Sequence, residues 1–320
     1  NGERVIARCL RSLSRQDFCN AYEIIVVDDG STDATAQIVQ QFPHVRLIIQ
    51  PPMGPAAARN RGIRAARGNV VLFTDADCEP TPHWLDEMVH PLEELDVVGV
   101  KGSYYTHQRQ VVARLAQCEF EERYDLLGRS SAIDFVDSYA AAFRTEALRE
   151  VGGFDPAFPD ANNEDVDLSY RLARMGHRLV FNRQAVVYHR HPASWGAYLR
   201  LKVKRGYWRM IVYRYHAGKA LRDSYTPQLL KIQILLACCC VILTAVMLMW
   251  PTMGWAAGVC LASFVLSAIP FTRLVVQRDA KIAIWAPVFV WGRALALAVG
   301  AAGGLVGILF FRRALPTIKT

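Results

Sequence analysis

The stretch Val70-Val-Leu-Phe-Thr-Asp-Ala-Asp-Cys-Glu-Pro80 (VVLFTDADCEP) runs four apolar residues straight into two aspartates one residue apart. That is the pattern of a buried strand whose end reaches a binding edge. On an extended strand end, Asp75 and Asp77 point to the same side, and their repulsion is tolerable only if something positive sits between them. Two hard carboxylates suit Mg²⁺ or Mn²⁺, and Mg²⁺ in particular binds through one or two carboxylates plus substrate phosphates. A single Asp here could equally cap the next helix. Thr81 is available for that role, which favours the metal reading.

The same pattern recurs outward from this strand. Tyr22-Glu-Ile-Ile-Val-Val27 reads as a strand that ends on Asp28-Asp29-Gly30, and Val45-Arg-Leu-Ile-Ile49 as another. Helices are expected over 3–15, 34–41, 55–66 and after Thr81, from apolar spacing, caps and the glycine at 68. Strands alternating with helices predict an α/β fold, with a mostly parallel sheet and helices on both faces. Ligands of such sheets bind beyond the carboxyl ends of the strands, where Asp28, Asp29, Asp75 and Asp77 all fall. Further on, the pattern predicts a helix over 107–127, a strand over 133–143, a helix from Asn163 to Met175, and strands at 179–181 and 185–188, the last ending on His189.

Charge and hydropathy divide the 320 residues into three regions. Residues 1–189 carry 20 Lys/Arg against 27 Asp/Glu, residues 190–228 carry 9 against 1, and residues 229–320 carry 8 against 1. The positive charge flanks apolar runs, where anionic headgroups would be met, so the basic balance is not that of a nucleic-acid-binding domain. Segment 190–228 is basic and aromatic, with Trp195, Tyr198, Tyr207 and Trp208, and resembles a helix lying along a membrane surface. Segments 229–250 and 252–271 are each long enough to span a bilayer. A third, 284–311, is either one tilted span or an interfacial helix followed by a shorter span. Two to three transmembrane helices are therefore expected. The basic stretches 190–222 and 273–281 belong on the cytoplasmic side by the positive-inside rule, whereas a third full crossing would put Arg312, Arg313 and Lys319 outside. Eight cysteines without metal-ligand spacing read as packing residues of a reducing compartment.

Five ordered motifs, VVDDGSTDAT, GPAAARNRGIRAARG, VLFTDADC, GGFDPAF and NEDVDLSYRL, resemble the family 2 glycosyltransferases of GT-A fold over roughly residues 1–190. That resemblance implies an inverting transfer from a nucleotide-diphospho-sugar (a UDP- or GDP-sugar) to a lipid-linked or glycan acceptor at the membrane. It implies that Asp29, or else Asp28, contacts the base. Asp75 would meet ribose and metal, Asp77 would bind Mg²⁺ or Mn²⁺, and Asp165 would be the general base. His189 matches a position that adds a metal ligand in some members. Gly54 would let the backbone approach the ligand, and Arg59 would reach the nucleotide or diphosphate. Glu164 and Trp195 are expected on the acceptor side. The family's usual opening strand has no counterpart before Asn1-Gly2, so the resemblance implies a chain clipped inside its nucleotide site.

Residue chemistry supports the base independently. Inverting transfer needs a group to take the acceptor proton, and Asp165 stands at a predicted helix start. There the dipole lowers its pKa, so partial burial must offset that. Glu164, Asp165 and Asp167 could instead be ordinary first-turn acids. The Gln-x-x-Arg-Trp-like motif of processive synthases is not matched: Trp195 and KRGYW occupy its region without the glutamine. A single-addition enzyme of a bacterial inner or plasma membrane, with a cytoplasmic catalytic domain, is therefore expected over a processive polysaccharide synthase. Intact DxD and NED motifs argue against a silent sugar-nucleotide sensor or scaffold. A nucleotidyltransferase would show a Gly-rich phosphate loop.

Overall fold

The computed structural model describes residues 1–158, 163–221 and 223–310. The chain opens with α1 (Ile6–Leu13), β1 (Ile24–Asp29), α2 (Thr35–Gln40), β2 (Val45–Gln50), α3 (Pro55–Ala65) and β3 (Val70–Thr74). It continues through β4 (Glu79–Pro80), α4 (Trp84–Val89), β5 (Val97–Tyr105), α5 (Val111–Leu127), β6 (Ala140–Arg144) and α6 (Thr145–Glu150). Then come α7 (Glu164–Arg174), β7 (Arg178–Tyr188), α8 (Trp195–Tyr215) and α9 (Ala217–Leu221). Last are the apolar helices α10 (Gln228–Met249), α11 (Gly254–Asp279) and α12 (Ala286–Phe310).

The α/β class holds, and the sheet is mixed rather than mostly parallel. A five-stranded sheet has the order β3-β6-β5-β7-β4, and β1-β2 form a separate two-stranded sheet. Only β1–β2 and β5–β7 are parallel; β3–β6, β5–β6 and β4–β7 are antiparallel. Alternation of elements does not fix strand direction. Helix α5 does not simply cover the sheet: Phe120, Tyr124 and Leu127 join the sheet's core while Val112, Leu115 and Cys118 join that of the apolar helices. After α5, Ile133 bridges Leu179 near the start of β5, and residues 134–139 carry the chain back along the sheet before β6, so β6 runs against β5. The expected strand over 133–143 is realised only as β6, plus a single bridge from Ile133 to Leu179. Residues 134–139 become a loop that feeds the site. The two expected strands 179–181 and 185–188 merge into β7, with irregular register against β5.

Helix α8 is not a free surface helix. Ile211 and Val212 lie in the main core, and its other side lies along α12. Gly206 and Gly300 allow this contact: a Cβ on Gly206 would lie 2.6 Å from the Leu297 carbonyl, and one on Gly300 would collide with the Val203 carbonyl. Small residues let apolar helices approach backbone to backbone. Glu119 of α5 ties the layers together. It accepts from Arg123 Nη2 at 2.6 Å, Lys202 Nζ at 2.6 Å and Tyr198 Oη at 2.7 Å, with Arg293 Nη1 of α12 at 4.0 Å. Although its burial opposes ionisation, those cations hold its pKa well below the usual carboxylate range.

Two stretches, Gln228–Met249 and Pro251–Phe310, are long and apolar enough to cross a membrane. The start of α10 and the end of α11 both stay at the α/β domain. Lys231 donates to the Ala220 and Leu221 carbonyls, while Arg278 pairs with Glu121 at 2.9 Å and Arg114 pairs with Asp279. The start of α10 and the end of α11 thus lie against α9 and α5 respectively. Helix α12 is one continuous helix. It meets the domain through Arg293 near its start and Ile308 near its end, so it does not lead away as the α10–α11 hairpin does. Arg312, Arg313 and Lys319 lie outside the described residues.

Candidate active site

The ends of β1 and β3 carry the acids read from the sequence. Asp28 is buried and accepts from Ser31 N at 2.9 Å. Asp29 holds the following loop: its carboxylate accepts from Gln50 Nε2 at 2.7 Å, Met53 N at 2.8 Å and Gly54 N at 2.8 Å. Desolvation is the largest single influence and opposes ionisation, yet these three bonds together lower its pKa. A carboxylate has about four acceptor positions, so one remains for a ligand. Gly54 has φ 89°, a backbone region that favours glycine, and starts α3. Its need is thus set by this turn, besides any approach to a ligand.

Arg59 projects from α3 and joins two parts of the site. Its Nη2 lies 3.3 Å from Asp75 Oδ1 and its Nη1 lies 2.6 Å from Glu164 Oε1, with the guanidinium 5.4 Å above the Phe154 ring. Neighbouring Asp77 is 39% exposed in its side chain, and its Oδ2 is 3.5 Å from His189 Nε2. Asp77, Cys78 and His189 each offer a ligand atom, all within 4.8 Å of one another. Burial pushes the Cys78 thiol far up, with the charges of Asp75 and Asp77 adding to it. Cys78 therefore remains a thiol, leaving an oxygen and an imidazole. His189 turns Nε2 toward Asp77, and the clustered ligand atoms fit a divalent cation.

Across from these acids stands the start of α7. Asn163 adopts the left-handed conformation (φ 66°), which Asn tolerates better than most residues. Strained backbone of this kind clusters at functional sites. Asp165 follows, accepting from Val166 N at 2.8 Å and Ser138 N at 3.4 Å. Burial, then the charges of Glu164 and Asp137, raise its pKa to about 7. This meets the requirement that burial outweigh the helix dipole. Glu164 is also raised, chiefly by burial, with Arg59 opposing. Beneath Asp165, the buried Lys101 pairs with Asp137, which also accepts from Tyr139 Oη.

One cavity of about 290 Å³ brings Arg59, Asp75, Glu164 and Asp165 together with residues of α8, α10 and α12. Trp195 is not among them. It packs 6.0 Å from Phe289 at the start of α8, within the cluster of the apolar helices, because the start of α8 faces α12. Sequence reading missed Asp137, Lys101, Arg205 and Arg209. Asp137 carried a legible signal, one of two acids (with Asp134) in the stretch Ile133–Phe143 that reads as a strand. The arginines were absorbed into a basic surface stretch.

Residues 1–152 match the family model "Glycosyl transferase family 2", and this part of the chain belongs to that family. Over 177 residues the chain is 32% identical to a pre-mycofactocin glycosyltransferase of Mycobacterium tuberculosis, covering 52% of this chain and 37% of that protein. Over 230 residues it is 27% identical to a chondroitin synthase of Escherichia coli, covering 60% of this chain and 34% of that protein. The chain thus spans about a third of the length of each of these relatives. A solved mycobacterial protein superposes with a TM-score of 0.50 at 22% identity, covering 66% of this chain and 71% of that one. At that identity the likeness concerns the fold alone.

Proposed function

We propose that the chain is an inverting glycosyltransferase that moves a sugar from a nucleotide-diphospho-sugar to a hydroxyl of a lipid-linked or membrane-proximal acceptor. Residues 1–189 supply the catalytic unit, 190–228 the connecting segment and 229–320 the membrane part. One observation carries the reading: Asp165 is half-buried, with its pKa raised to about 7, in the same cavity as Asp75 and Arg59. A general base works best with a pKa near the working pH. The acceptor hydroxyl gives its proton to Asp165 as its oxygen forms a bond to the anomeric carbon. The bond from that carbon to the diphosphate oxygen breaks on the opposite face, and its electron pair leaves with the nucleoside diphosphate.

Asp28 and Asp29 would meet the nucleoside, beside the turn at Gly54. Asp75 would meet the ribose. Arg59, held between Asp75 and Glu164, would fix the geometry between donor and base. Asp77 and His189, with Asp75 beside them, would hold a divalent cation, Mg²⁺ or Mn²⁺, whose charge neutralises the departing diphosphate. The membrane reading is supported by the apolar side chains that α10–α12 leave outward, among them Leu235 at 63%, Leu248 at 80% and Leu309 at 72% exposure. Shared orientation of the basic stretches with the catalytic unit supports a cytoplasmic active site. The test is Asp165→Asn in the full chain. Donor binding should persist while transfer falls; unchanged turnover would remove Asp165 as the base.

A further inference from the structure

The cavity that holds Asp165 changes character with distance from it. Its far wall comes from α8 and α10 and carries Arg205, Arg209 and Lys231, then Leu230, Ile234, Leu297 and Ala301 of α10 and α12. Other buried cations nearby are already matched, since Arg123 and Lys202 share Glu119. These three are not. Arg205 makes no hydrogen bond or ion pair among the described residues. Among the described residues Arg209 donates only to the Tyr170 hydroxyl, at 3.3 Å, and lies against the Phe135 and Tyr213 rings. Lys231 donates to the Ala220 and Leu221 carbonyls. None has a carboxylate within ion-pair distance among the described residues.

The acids of this cavity lie on its opposite wall, and partly buried cations without a direct ion-pair partner are costly to hold unless an anion completes them. A guanidinium presents a planar fork that matches phosphate oxygens. We propose that this wall binds a phosphate or diphosphate ester in the acceptor, anchored by Arg205 and Arg209, whose apolar tail leaves past Leu230, Ile234, Leu297 and Ala301. This rests on the glycosyltransferase reading above and names its acceptor class. The cavity of about 290 Å³ accommodates a head group between Asp165 and the arginines. The group that reacts is still a hydroxyl, because a phosphate oxygen would already be ionised and would need no base at Asp165. The anionic group therefore lies beyond the sugar that carries that hydroxyl.

The test uses the full chain in detergent, with geranyl phosphate and geraniol as probes and UDP and GDP measured separately. Geranyl phosphate should bind at least about tenfold more tightly than geraniol. Arg205→Gln should weaken geranyl phosphate about ten- to hundredfold, the range of a lost charge-assisted hydrogen bond. Arg205→Lys should restore part of it, and Ala301→Trp should block the apolar exit and weaken both probes. Nucleotide affinity should stay unchanged in all three variants. Equal binding of the two probes by the unmodified chain would overturn the inference, whether or not any variant folds. So would an equal loss of nucleotide affinity in Arg205→Gln, since the cations would then serve the donor's diphosphate. Failure of the unmodified chain to bind any nucleotide or cleave any nucleotide-sugar would instead sink the glycosyltransferase reading.

Discussion

The two walls of the cavity are made from different kinds of sequence. On the donor wall, Asp75 and Asp77 follow a short apolar strand within one stretch, and their side chains are 40% and 39% exposed. On the opposite wall, Glu164 is 2% exposed, and its neighbours come from α7, α8, α10 and α12. Half-exposed acids can exchange a cation and a soluble donor with solvent. Buried groups assembled from distant segments can tune a pKa and admit an anchored acceptor. Arg59 links the walls, contacting Asp75 on one and Glu164 on the other.

The largest expected effect separates chemistry from binding. Asp165→Asn keeps size and most hydrogen bonds but cannot accept a proton. Transfer should fall about 10²- to 10⁴-fold, with nucleotide affinity within twofold or so of the unmodified protein. If both fall together, the two walls are not separable. Next comes the donor wall. Chelation should abolish transfer and added Mn²⁺ or Mg²⁺ should restore it. His189→Ala should raise the metal concentration needed for half activity by at least about tenfold, a loss no smaller than that of a supporting residue. Full activity after chelation would remove the metal from Asp75 and Asp77.

A third expectation concerns the joint between the layers. Glu119→Gln leaves Lys202, Arg123 and Arg293 without their shared counter-charge. Removing one partner of a buried ion pair costs roughly 3–5 kcal/mol. Thermal inactivation in detergent should therefore come at distinctly lower temperature. A variant as heat-stable as the parent would mean that apolar packing between α8 and α12 suffices by itself.

The contrast between the walls also explains what the sequence made legible. Asp28, Asp29, Asp75 and Asp77 were legible because strand periodicity and strand-end placement are local properties. Asp165 was legible through its motif, yet the burial that tunes it comes partly from Asp137, in a loop misread as strand. Trp195 was assigned to the acceptor side by position along the chain, and the geometry seats it on Phe289 instead. Arg205 and Arg209 looked like solvated charges of a surface helix. Only the close contact of Gly206 with α12, a property of two segments about ninety residues apart, turns them into a cavity wall. Strand direction was hidden for the same reason, since it depends on where residues 134–139 lead after the Ile133–Leu179 bridge.

The smallest effect is the most discriminating, because it reads the coupling between the walls by sign. Asp165 must be ionised to act as base, and its pKa is raised to about 7. Transfer should thus be constant above that pH and fall as pH drops through it, to about a tenth of the plateau one unit below. Glu164 and Asp137 push this pKa up, and Arg59 pulls it down. Asp137→Asn should therefore move the midpoint to lower pH, and Arg59→Gln should move it to higher pH, each by less than burial itself contributes. Both variants disturb a buried ion pair, so both lose stability. The opposite directions of the two midpoints do not depend on that loss. Midpoints that move the same way, or not at all, would mean that burial alone sets the base and that the donor wall has no electrostatic hold on it.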